Sequence, residues 1–559
     1  MDKPFDIADW RVDPASNSIA RDDEQRHLEP RAMDLLVYLA RRHGEVISKD
    51  QLFRDVWQDA LVGESALMTA ISSLRRSLDD DSRNPDIIET VPKRGYRLIA
   101  PTTAASAALA VLPFRFQSIG DNQAFLAEGI SELLMTELGH APGIRVISWP
   151  SVAAFRHSRL PVHRIAQELE ARYIIEGTVM RSDDAIRVTA RMHDASDGSQ
   201  IWSESYFART NELLGMQSDL AKQIANSISA RFTQEARQVR HGDYDCSDAL
   251  IAYLRGRFHW NKMSPEHFDR ALDYFQQSIE LDSGFGPAYS GIADVWGAYG
   301  YWGIQPMAEI RDRVWAPLNK AQKLDQEWAE VEALTGTAYF LLSRDWKNSH
   351  KHLIKAIALN PSLAHPHLIH GLLSMTLRHH DAADWLVTAG RLDPVNPVMQ
   401  LARTMLAMSK NDTESAARHI ERLLELDPDH PPGRQLRANL AWYTGDPVAI
   451  EYESENWSGD PQISMLFNRR STRSDSSQIL LELATVLQQR SESVYVQPMQ
   501  IARAFCIAGD HESALDILEQ AQDSDDLMQI DFLQTDCVWH CLRTKQRFQN
   551  LLLAIGITD

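Results

Sequence analysis

The sequence predicts a multidomain α+β chain in which a mixed α+β region, an α/β region and a long all-α region follow one another. Three observations lead to this prediction. The first hundred residues read as short strands, three helices and a hairpin, and strand and helix patterns alternate from there to about residue 235. Beyond Ser247 a helical pattern recurs at a nearly constant spacing. With 559 residues the chain is too long for one hydrophobic core, so about three or four domains are expected.

Composition limits the partners that the chain can have. Apolar residues make up 44% and charged residues 24%, which is ordinary for soluble globular proteins. No run of about 20 apolar residues occurs and the N-terminus has no signal-like apolar core, so no membrane contact and a cytoplasmic location are expected. Four cysteines are too few for a disulfide framework. The formal net charge of −20 argues against nonspecific coating of nucleic acid, so a nucleic-acid site must be a local patch.

The first hundred residues have the order strands, three helices, hairpin. The opening segment "FDIADWRVDPASNSIARDDEQRHLEP" alternates short apolar runs with turn residues, and "PRAMDLLVYLARRHGEVIS" carries one apolar helical face. Ser48 is a suitable N-cap for "KDQLFRDVW", and a third helix is predicted from Glu64 to Leu78. The segment "IIETVPKRGYRLIAP" then predicts strand, tip and strand. The apolar stripe expected to bury the third helix is Leu67, Ile71, Leu74 and Leu78.

This order is the winged-helix plan, in which the third helix enters the major groove of DNA and the hairpin tip lies against the backbone. It explains why an acidic chain places adjacent cations in the hairpin "IETVPKRGYRL". The paired stretches "ALMTAISSLRRSL" and "IIETVPKRGYRL" resemble the OmpR/ToxR-type winged helix, in its CadC-like branch, over about residues 5–100, so the domain is placed at 1–100. The resemblance implies binding to promoter DNA through the third helix and the wing. Neither the receiver domain nor the transmembrane helix common in that family is expected here.

Ten residues are candidates for contact with double-stranded promoter DNA. Small hydroxyls and a methionine in the N-terminal half of the third helix can meet base edges, and arginine or lysine can neutralise phosphates. A solvated helix face is the alternative, and the fifteen basic and nineteen acidic residues of 1–100 mean that the position of the cations must matter more than their sum. The outward-facing helix residues are Ser65, Met68, Thr69, Ser72 and Ser73, and the phosphate candidates are Arg75, Arg76, Lys93, Arg94 and Arg97.

The middle region is expected to be an α/β domain over 107–235, after a small-residue linker at Ala100–Ala108. Alternation on both sides of Asp197-Gly198 predicts a hairpin, and "ELLGMQSDLAKQIANSISARF" predicts a closing helix. The pieces "LAVLPF", "FLAEGISELLMTEL", "RYIIEGTV", "ARMHDASDG" and "IWSESY" resemble a TolB-like domain joined to helical repeats in some bacterial adenylate cyclases and regulators. That resemblance implies an assembly or sensing module without known chemistry. Glu128 and Glu132 could be paired catalytic carboxylates, but a solvated helix face is the preferred interpretation.

The last region, 246–559, is a predicted repeat array. Five segments of the kind "IALNPSLAHPH" and "LELDPDHPPGR" recur at steps of 43, 35, 33 and 34 residues. A period near 34 is typical of tetratricopeptide repeats, each a pair of antiparallel helices. Such arrays form a concave surface that usually binds a protein partner, with RNA polymerase or another regulator as candidates. The markers that define these steps are Ser283, Gln326, Pro361, Pro394 and Pro428.

Clusters of histidine and cysteine in the repeats suggest no metal site. The segment "CVWHC" offers Cys537 and Cys541, but structural zinc usually needs four ligands and no second pair lies nearby in sequence, so a buried helix face is expected. The histidines are expected at the surface because they fall on different helix faces or at a proline-bounded turn. No cofactor and no metal is therefore predicted. The histidines in question are His365, His367, His370, His379 and His380.

The three regions together resemble the HilA-type transcription activators of bacterial secretion-system islands. The resemblance implies a sequence-specific transcriptional regulator, an activator rather than a repressor, whose middle and repeat regions bind a protein partner or another copy of the chain. One alternative is a signalling adaptor with a vestigial winged helix. Others are a sensor that binds a small effector in the middle domain, and an enzyme such as a lost cyclase. No Ser/His/Asp set, metal spacing or phosphate loop supports the enzyme.

Overall fold

The structure, a computed structural model, describes residues 5–557 except for one long segment, 210–246, and several short ones. Its described residues form two compact units, Met1–Ala107 and Ala108–Asp559. None of the helices in this described part combines the length and apolar character that a bilayer crossing needs. The segments left out between residues 5 and 557 are 9, 22–23, 41, 43–46, 58–63, 82–84, 92–93, 101, 105–106, 118–122, 141–143, 183–184, 196, 210–246, 325–326, 469–475 and 528–529.

The N-terminal unit has the predicted order of strands, three helices and hairpin. A five-stranded antiparallel sheet has the order β4-β3-β2-β1-β7, and β5 and β6 form a separate two-stranded sheet. The elements are β1 Phe5–Ile7, β2 Trp10–Asp13, β3 Ser18–Arg21, β4 Glu24–His27, α1 Pro30–Ala40, α2 Lys49–Trp57, α3 Glu64–Leu78, β5 Ile88–Val91, β6 Gly95–Leu98 and β7 Thr102–Ala104.

The segment Ala100–Ala108 is not the linker that its small residues suggested. Its β7 adds an edge strand to the first sheet, with Phe5 opposite Ala104 and Ile7 opposite Thr102. Another strand begins already at Ala107. The prediction was wrong because a three-residue strand is held by backbone hydrogen bonds and leaves no side-chain periodicity in the sequence.

The first sheet fixes the C-terminal end of α3. All four residues of the predicted apolar stripe of α3 are buried, which confirms the helical register. The buried indole of Trp10 donates through Nε1 to the carbonyl oxygen of Leu78 at 3.0 Å, and the guanidinium groups of Arg21 and Arg26 lie over its ring. Arg26 also donates to Asp79 at 2.8 Å. The sheet therefore determines where α3 ends and how it is oriented.

The second unit begins with a mixed sheet in the strand order β10-β8-β11-β12-β13, with β9 beside β11. Strand β8 runs parallel to β11, and β11, β12 and β13 form an antiparallel meander. The predicted hairpin at Asp197-Gly198 is confirmed, whereas the predicted closing helix lies outside the described residues. The elements are β8 Ala107–Val111, β9 Arg115–Phe116, α4 Ala124–Gly139, β10 Ile144–Val146, α5 Trp149–Ala153, α6 Val162–Glu168, β11 Tyr173–Ser182, β12 Ala185–Asp194 and β13 Gln200–Arg209.

The rest of the second unit consists of helices that pack as consecutive pairs. Five of them begin at residues 286, 329, 364, 397 and 431, which are steps of 43, 35, 33 and 34. These are the steps of the sequence markers, so the predicted repeats are confirmed as helical pairs. The helices are α7 Ser247–Trp260, α8 Pro265–Leu281, α9 Gly286–Tyr301, α10 Met307–Leu324, α11 Ala329–Ala338, α12 Trp346–Leu359, α13 Ala364–Thr376, α14 Ala382–Leu392, α15 Pro397–Ser409, α16 Thr413–Leu426, α17 Pro431–Thr444, α18 Ala449–Asn456, α19 Pro461–Asn468, α20 Ser476–Ser491, α21 Pro498–Ala508, α22 His511–Asp523, α23 Ile530–Thr535 and α24 Gln546–Ala554.

The α/β region packs directly on the repeats through α4 and α7. Glu128 is buried beside Arg156, 2.7 Å from its Nη2, and Glu132 accepts from Arg257 Nε at 3.0 Å. Burial raises the pKa of Glu128, and the Arg156 charge opposes that rise. The predicted solvated face was therefore wrong, because the arginine that pairs with Glu132 lies 125 residues away in sequence.

Other contacts strengthen this packing within the second unit. Gly129 allows the close approach of α4 and α7, since a Cβ there would lie 2.7 Å from a methyl of Leu254. The Ser151 hydroxyl donates to Asp393 at 2.6 Å, and the Val146 amide donates to the Ser362 hydroxyl at 3.1 Å. The predicted boundary between 107–235 and 246–559 falls at undescribed residues and stays a prediction.

Candidate nucleic-acid interface

The N-terminal half of α3 presents small and flexible side chains to solvent. Met68 is 56% exposed, and Thr69 and Ser72 are exposed as well, while Leu67 and Ile71 on the opposite face are buried. Hydroxyls can donate to and accept from base edges, and a methionine methyl can contact the methyl of thymine. This half of the helix therefore has the chemistry that base contact needs. Ser73 is half-buried, and the side chain of Ser65 lies outside the described part of the chain.

Arg75 does not face outward as the helix register suggested. Its Nη2 donates to the carbonyl oxygen of Ile88 at 2.5 Å and to the hydroxyl of Thr90 at 3.0 Å. Its Nε lies 3.5 Å from a carboxylate oxygen of Asp80. The side chain is thus held between the end of α3 and strand β5. Because its charge is bound within the domain, Arg75 is not available to contact a DNA phosphate. Helical periodicity predicts the direction of Cβ, but a long arginine can turn back to partners that the periodicity does not show.

Asp80 anchors the segment that connects α3 to the hairpin. Its fully buried carboxylate accepts the backbone N–H groups of Asp86 at 2.8 Å, Ile87 at 2.9 Å and Ile88 at 3.0 Å. Three such bonds to one ionised group satisfy backbone donors that would otherwise be buried without partners. Together with Arg75, Asp80 therefore connects the recognition-type helix rigidly to the hairpin.

The hairpin β5–β6 is the wing of the domain, and a third segment extends it. Ile47 exchanges both backbone hydrogen bonds with Tyr96, at 2.8 and 3.0 Å. Gly95 has a φ of +142°, and a Cβ there would lie 1.9 Å from the carbonyl oxygen of Ile47. Only glycine fits this position, because a side chain would clash with backbone that belongs to the same small sheet.

The cations of the wing differ in whether a carboxylate of the same domain pairs with them. Arg94 is exposed in the turn just before β6, while Pro92 and Lys93 lie outside the described residues. Arg97 pairs across the strands with Glu89, at 2.5 Å from Nη2 and 2.8 Å from Nε, so a phosphate contact by Arg97 would compete with that pair. Arg94 is therefore the described wing residue best suited to meet phosphate.

The exposed Arg76 on α3 is the second such cation. Two residues further along, the helix ends before Asp79, whose carboxylate is bonded by Arg26 and Arg21. The bond from Arg26 holds the pKa of Asp79 below its usual range, with Arg21 contributing less. The two arginines compensate this carboxylate, so its negative charge repels a nearby phosphate less than a bare aspartate would.

Sequence reasoning missed the residues that hold α3 and the wing together. Neither Asp80 nor Gly95 was among the predicted site residues. The usable signal was a carboxylate in the connection between a helix and a strand, where unpaired backbone N–H groups need an acceptor. Arg75 could not be assigned from the sequence, since its partners depend on how the hairpin folds back.

The predicted surface histidines of the repeats are in part buried. His367 and His370 on α13 are buried, whereas His379 and His380 are exposed. Burial lowers the pKa of each of the two buried histidines to about 4, and that of the half-buried His365 likewise. These buried imidazoles are therefore neutral at physiological pH. The prediction failed for them because α13 is covered by neighbouring helices on nearly all sides.

Comparison with known proteins identifies the class of the N-terminal unit. Residues 23–98 match the family described as "Transcriptional regulatory protein, C terminal". The matched range contains the three helices and the wing described above. The N-terminal unit therefore contains a winged-helix DNA-binding domain of the OmpR/PhoB type.

Individual relatives extend the similarity beyond this domain. The chain is 46% identical over 96 residues to "Transcriptional activator CadC" of Escherichia coli (strain K12), covering 17% of this chain and 19% of that protein. It is 23% identical over 332 residues to "Transcriptional regulator HilA" of Salmonella typhimurium, covering 57% and 58%. A third relative, "Putative adenylate cyclase 3" of Rhizobium meliloti, is 28% identical over 218 residues, covering 38% and 35%. The chain thus spans between 19% and 58% of the length of these curated relatives.

Proposed function

We propose that this chain is a sequence-specific DNA-binding transcriptional regulator and that it activates promoters. The observation that carries the proposal is the geometry of α3, which buries one face in its domain and exposes Met68, Thr69 and Ser72 on the other. A helix of this kind, braced against a wing, is the arrangement that winged-helix proteins insert into the major groove. The similarity to relatives named as a transcriptional activator and a transcriptional regulator supports the activating role.

We assign base contact to Ser65, Met68, Thr69 and Ser72 and phosphate contact to Arg76, Lys93 and Arg94. The exposed positions of Arg76 and Arg94 support this division, as does the commitment of Arg75 and Arg97 to partners within the domain. Base contacts specify a sequence, whereas phosphate contacts position the protein and make binding sensitive to salt. The two groups therefore have separable effects on DNA binding.

The second unit contributes protein contacts in this proposal and no catalysis. Helical pairs stacked as repeats commonly bind protein partners on their inner surface, and the close packing of the α/β region on α7 makes the two parts act as one body. Through this unit the chain would hold a protein of the transcription machinery or a second copy of itself. Either arrangement raises promoter occupancy, because tethering increases the effective concentration of a weakly binding domain.

The phosphate contacts can be tested through the salt dependence of binding. Changing Arg76 and Arg94 together to Ala should weaken binding to promoter DNA and to unrelated DNA alike. The slope of log K against log salt is negative, and each phosphate contact contributes about −0.9 to it. Loss of two contacts should therefore reduce the steepness of that slope by about 2. Fluorescence anisotropy of labelled duplexes, titrated with the full chain at several salt concentrations, measures this slope.

The matched control for this test is Arg11→Ala. Arg11 is an exposed arginine of the same unit, but it lies on β2 of the first sheet and on neither α3 nor the wing. The control removes one positive charge from the same domain and should leave the slope unchanged. A double variant with the parent slope, or an equal change in the control, would contradict the assigned phosphate contacts.

A further inference from the structure

Two cysteines and one histidine come together near the C-terminal end of the chain. Cys506 lies on α21, His511 opens α22, and Cys541 ends a 3-10 helix formed by Cys537–Cys541. Their ligand atoms, the two Sγ atoms and a ring nitrogen, all lie within 4.8 Å of one another. The two Sγ atoms are 3.2 Å apart. The buried helix face predicted for Cys537 and Cys541 holds for Cys537 but not for the exposed Cys541, which meets Cys506 from 35 residues earlier in sequence.

The local fold explains why these three side chains meet. Gly509, with a φ of +89°, ends α21 and turns the chain so that Asp510 can cap α22 by accepting the N–H of Ser513. This tight turn returns His511 toward the face of α21 that carries Cys506. The sequence signal is therefore a cysteine and a histidine separated by four residues across a helix-ending glycine.

The third side chain is held in place by its own short helix. Val538 and Trp539 are buried in the hydrophobic core that also contains Cys506, and Asp536 caps the 3-10 helix by accepting the N–H of Val538. The thiol of Cys506 additionally donates to the carbonyl oxygen of Val538 at 3.3 Å. Cys541 is consequently placed by packing on both sides, although its own side chain is exposed.

We infer that Cys506, His511 and Cys541 form a binding site for a zinc-type divalent ion. Two thiolates and an imidazole are the ligand types that zinc prefers, and a tetrahedral site with bonds of about 2.3 Å to sulfur separates its ligand atoms by about 3.8 Å. The two Sγ atoms are 3.2 Å apart, so coordination requires them to separate by about 0.6 Å, which small side-chain rotations allow. Because Cys541 is exposed, the fourth position is open to a water molecule. Binding releases the two thiol protons to solvent and leaves both sulfurs as thiolates.

The neighbouring residues of similar type are not part of this site. His540 is exposed beside Cys541, and Cys537 is buried at the start of the same 3-10 helix, yet neither belongs to the cluster. Zinc would therefore connect α21, α22 and the 3-10 helix Cys537–Cys541, which fastens that short helix to the helical pair before it.

The test uses the untagged full chain, purified with a thiol reductant and freed of metal by a chelator. Zinc chloride alone is titrated in competition with a chromophoric chelator, and cobalt chloride serves as a probe whose absorption reports thiolate ligands. One equivalent of zinc should bind with a Kd below about 1 μM, and cobalt should give a thiolate charge-transfer band. Zinc should also slow proteolytic removal of the segment that begins at Cys537.

Three variants make the result specific. His511→Gln and Cys541→Ser should each weaken zinc binding by more than about 100-fold, since each removes one of three protein ligands. Both side chains are at least partly exposed, so the variants should keep the fold, which far-ultraviolet circular dichroism checks. His540→Gln changes an adjacent exposed histidine and should bind zinc as the parent does.

Several outcomes would overturn the inference. Absence of stoichiometric binding would do so, as would equal affinity in the parent and in His511→Gln. Loss of binding in His540→Gln would assign the ion to other residues. A chain that forms a Cys506–Cys541 disulfide and takes up no zinc after reduction would show that the thiol pair serves redox chemistry instead.

Discussion

Replacing Asp80 by Ala should destabilise the N-terminal unit by about 3–5 kcal/mol. The change leaves the N–H groups of Ile87 and Ile88 buried without an acceptor, and it removes the negative charge next to the half-buried Arg75. Few single substitutions in a domain of this size have a larger effect, because several buried donors depend on one carboxylate. Urea unfolding of residues 1–107, followed by the fluorescence of the buried Trp10 and Trp57, measures the free energy of unfolding.

The control for this prediction is Asp86→Ala in the same connecting segment. Its side chain is exposed, and only its backbone N–H binds Asp80, so the substitution should change the free energy of unfolding by less than about 0.5 kcal/mol. If Asp80→Ala unfolded at the same urea concentration as the parent, the proposed anchor between α3 and the wing would be wrong.

The second large effect is expected from two adjacent residues of α3 with opposite roles. Ile71 is buried in the core of the unit, so Ile71→Ala should lower the free energy of unfolding by about 2–5 kcal/mol. Ser72 is exposed, so Ser72→Ala should leave the unfolding transition in place and weaken binding to the preferred DNA by about 1–3 kcal/mol. Urea unfolding and DNA titration of both variants separate the two roles.

The adjacent pair is informative because each variant is the control for the other. A stability loss in Ser72→Ala would show that its face of α3 is packed rather than available to DNA. Unchanged stability in Ile71→Ala would place the helical register one residue away from the observed one.

Local patterns were enough to predict most elements of this protein. The stripe from Leu67 to Leu78 sets the register of α3, and turn residues such as Asp197-Gly198 predict a hairpin that the structure has. The steps between the sequence markers equal the steps between the first residues of successive helical pairs. These features depend on residues close in sequence, where periodicity and turn chemistry act directly.

Contacts between distant residues could not be predicted in the same way. Glu132 meets Arg257 from 125 positions away, and Cys506 meets Cys541 from 35 positions away. Arg75 was assigned to DNA because its direction along the helix was known, whereas its bond to Ile88 depends on the fold of the wing. Long charged side chains are thus the residues for which helical register is the poorest guide.

Base contact by the N-terminal half of α3 should make DNA binding by this chain sequence-specific. Selection of bound duplexes from a random pool by the full chain tests it most directly, with the parent compared to the Thr69→Ala, Ser72→Ala double variant. One enriched motif is expected for the parent, and the variant should keep its fold but lose base preference at one or two positions of that motif. No enriched motif for the parent, or the same motif at the same affinity for the variant, would show that this half of α3 does not contact bases.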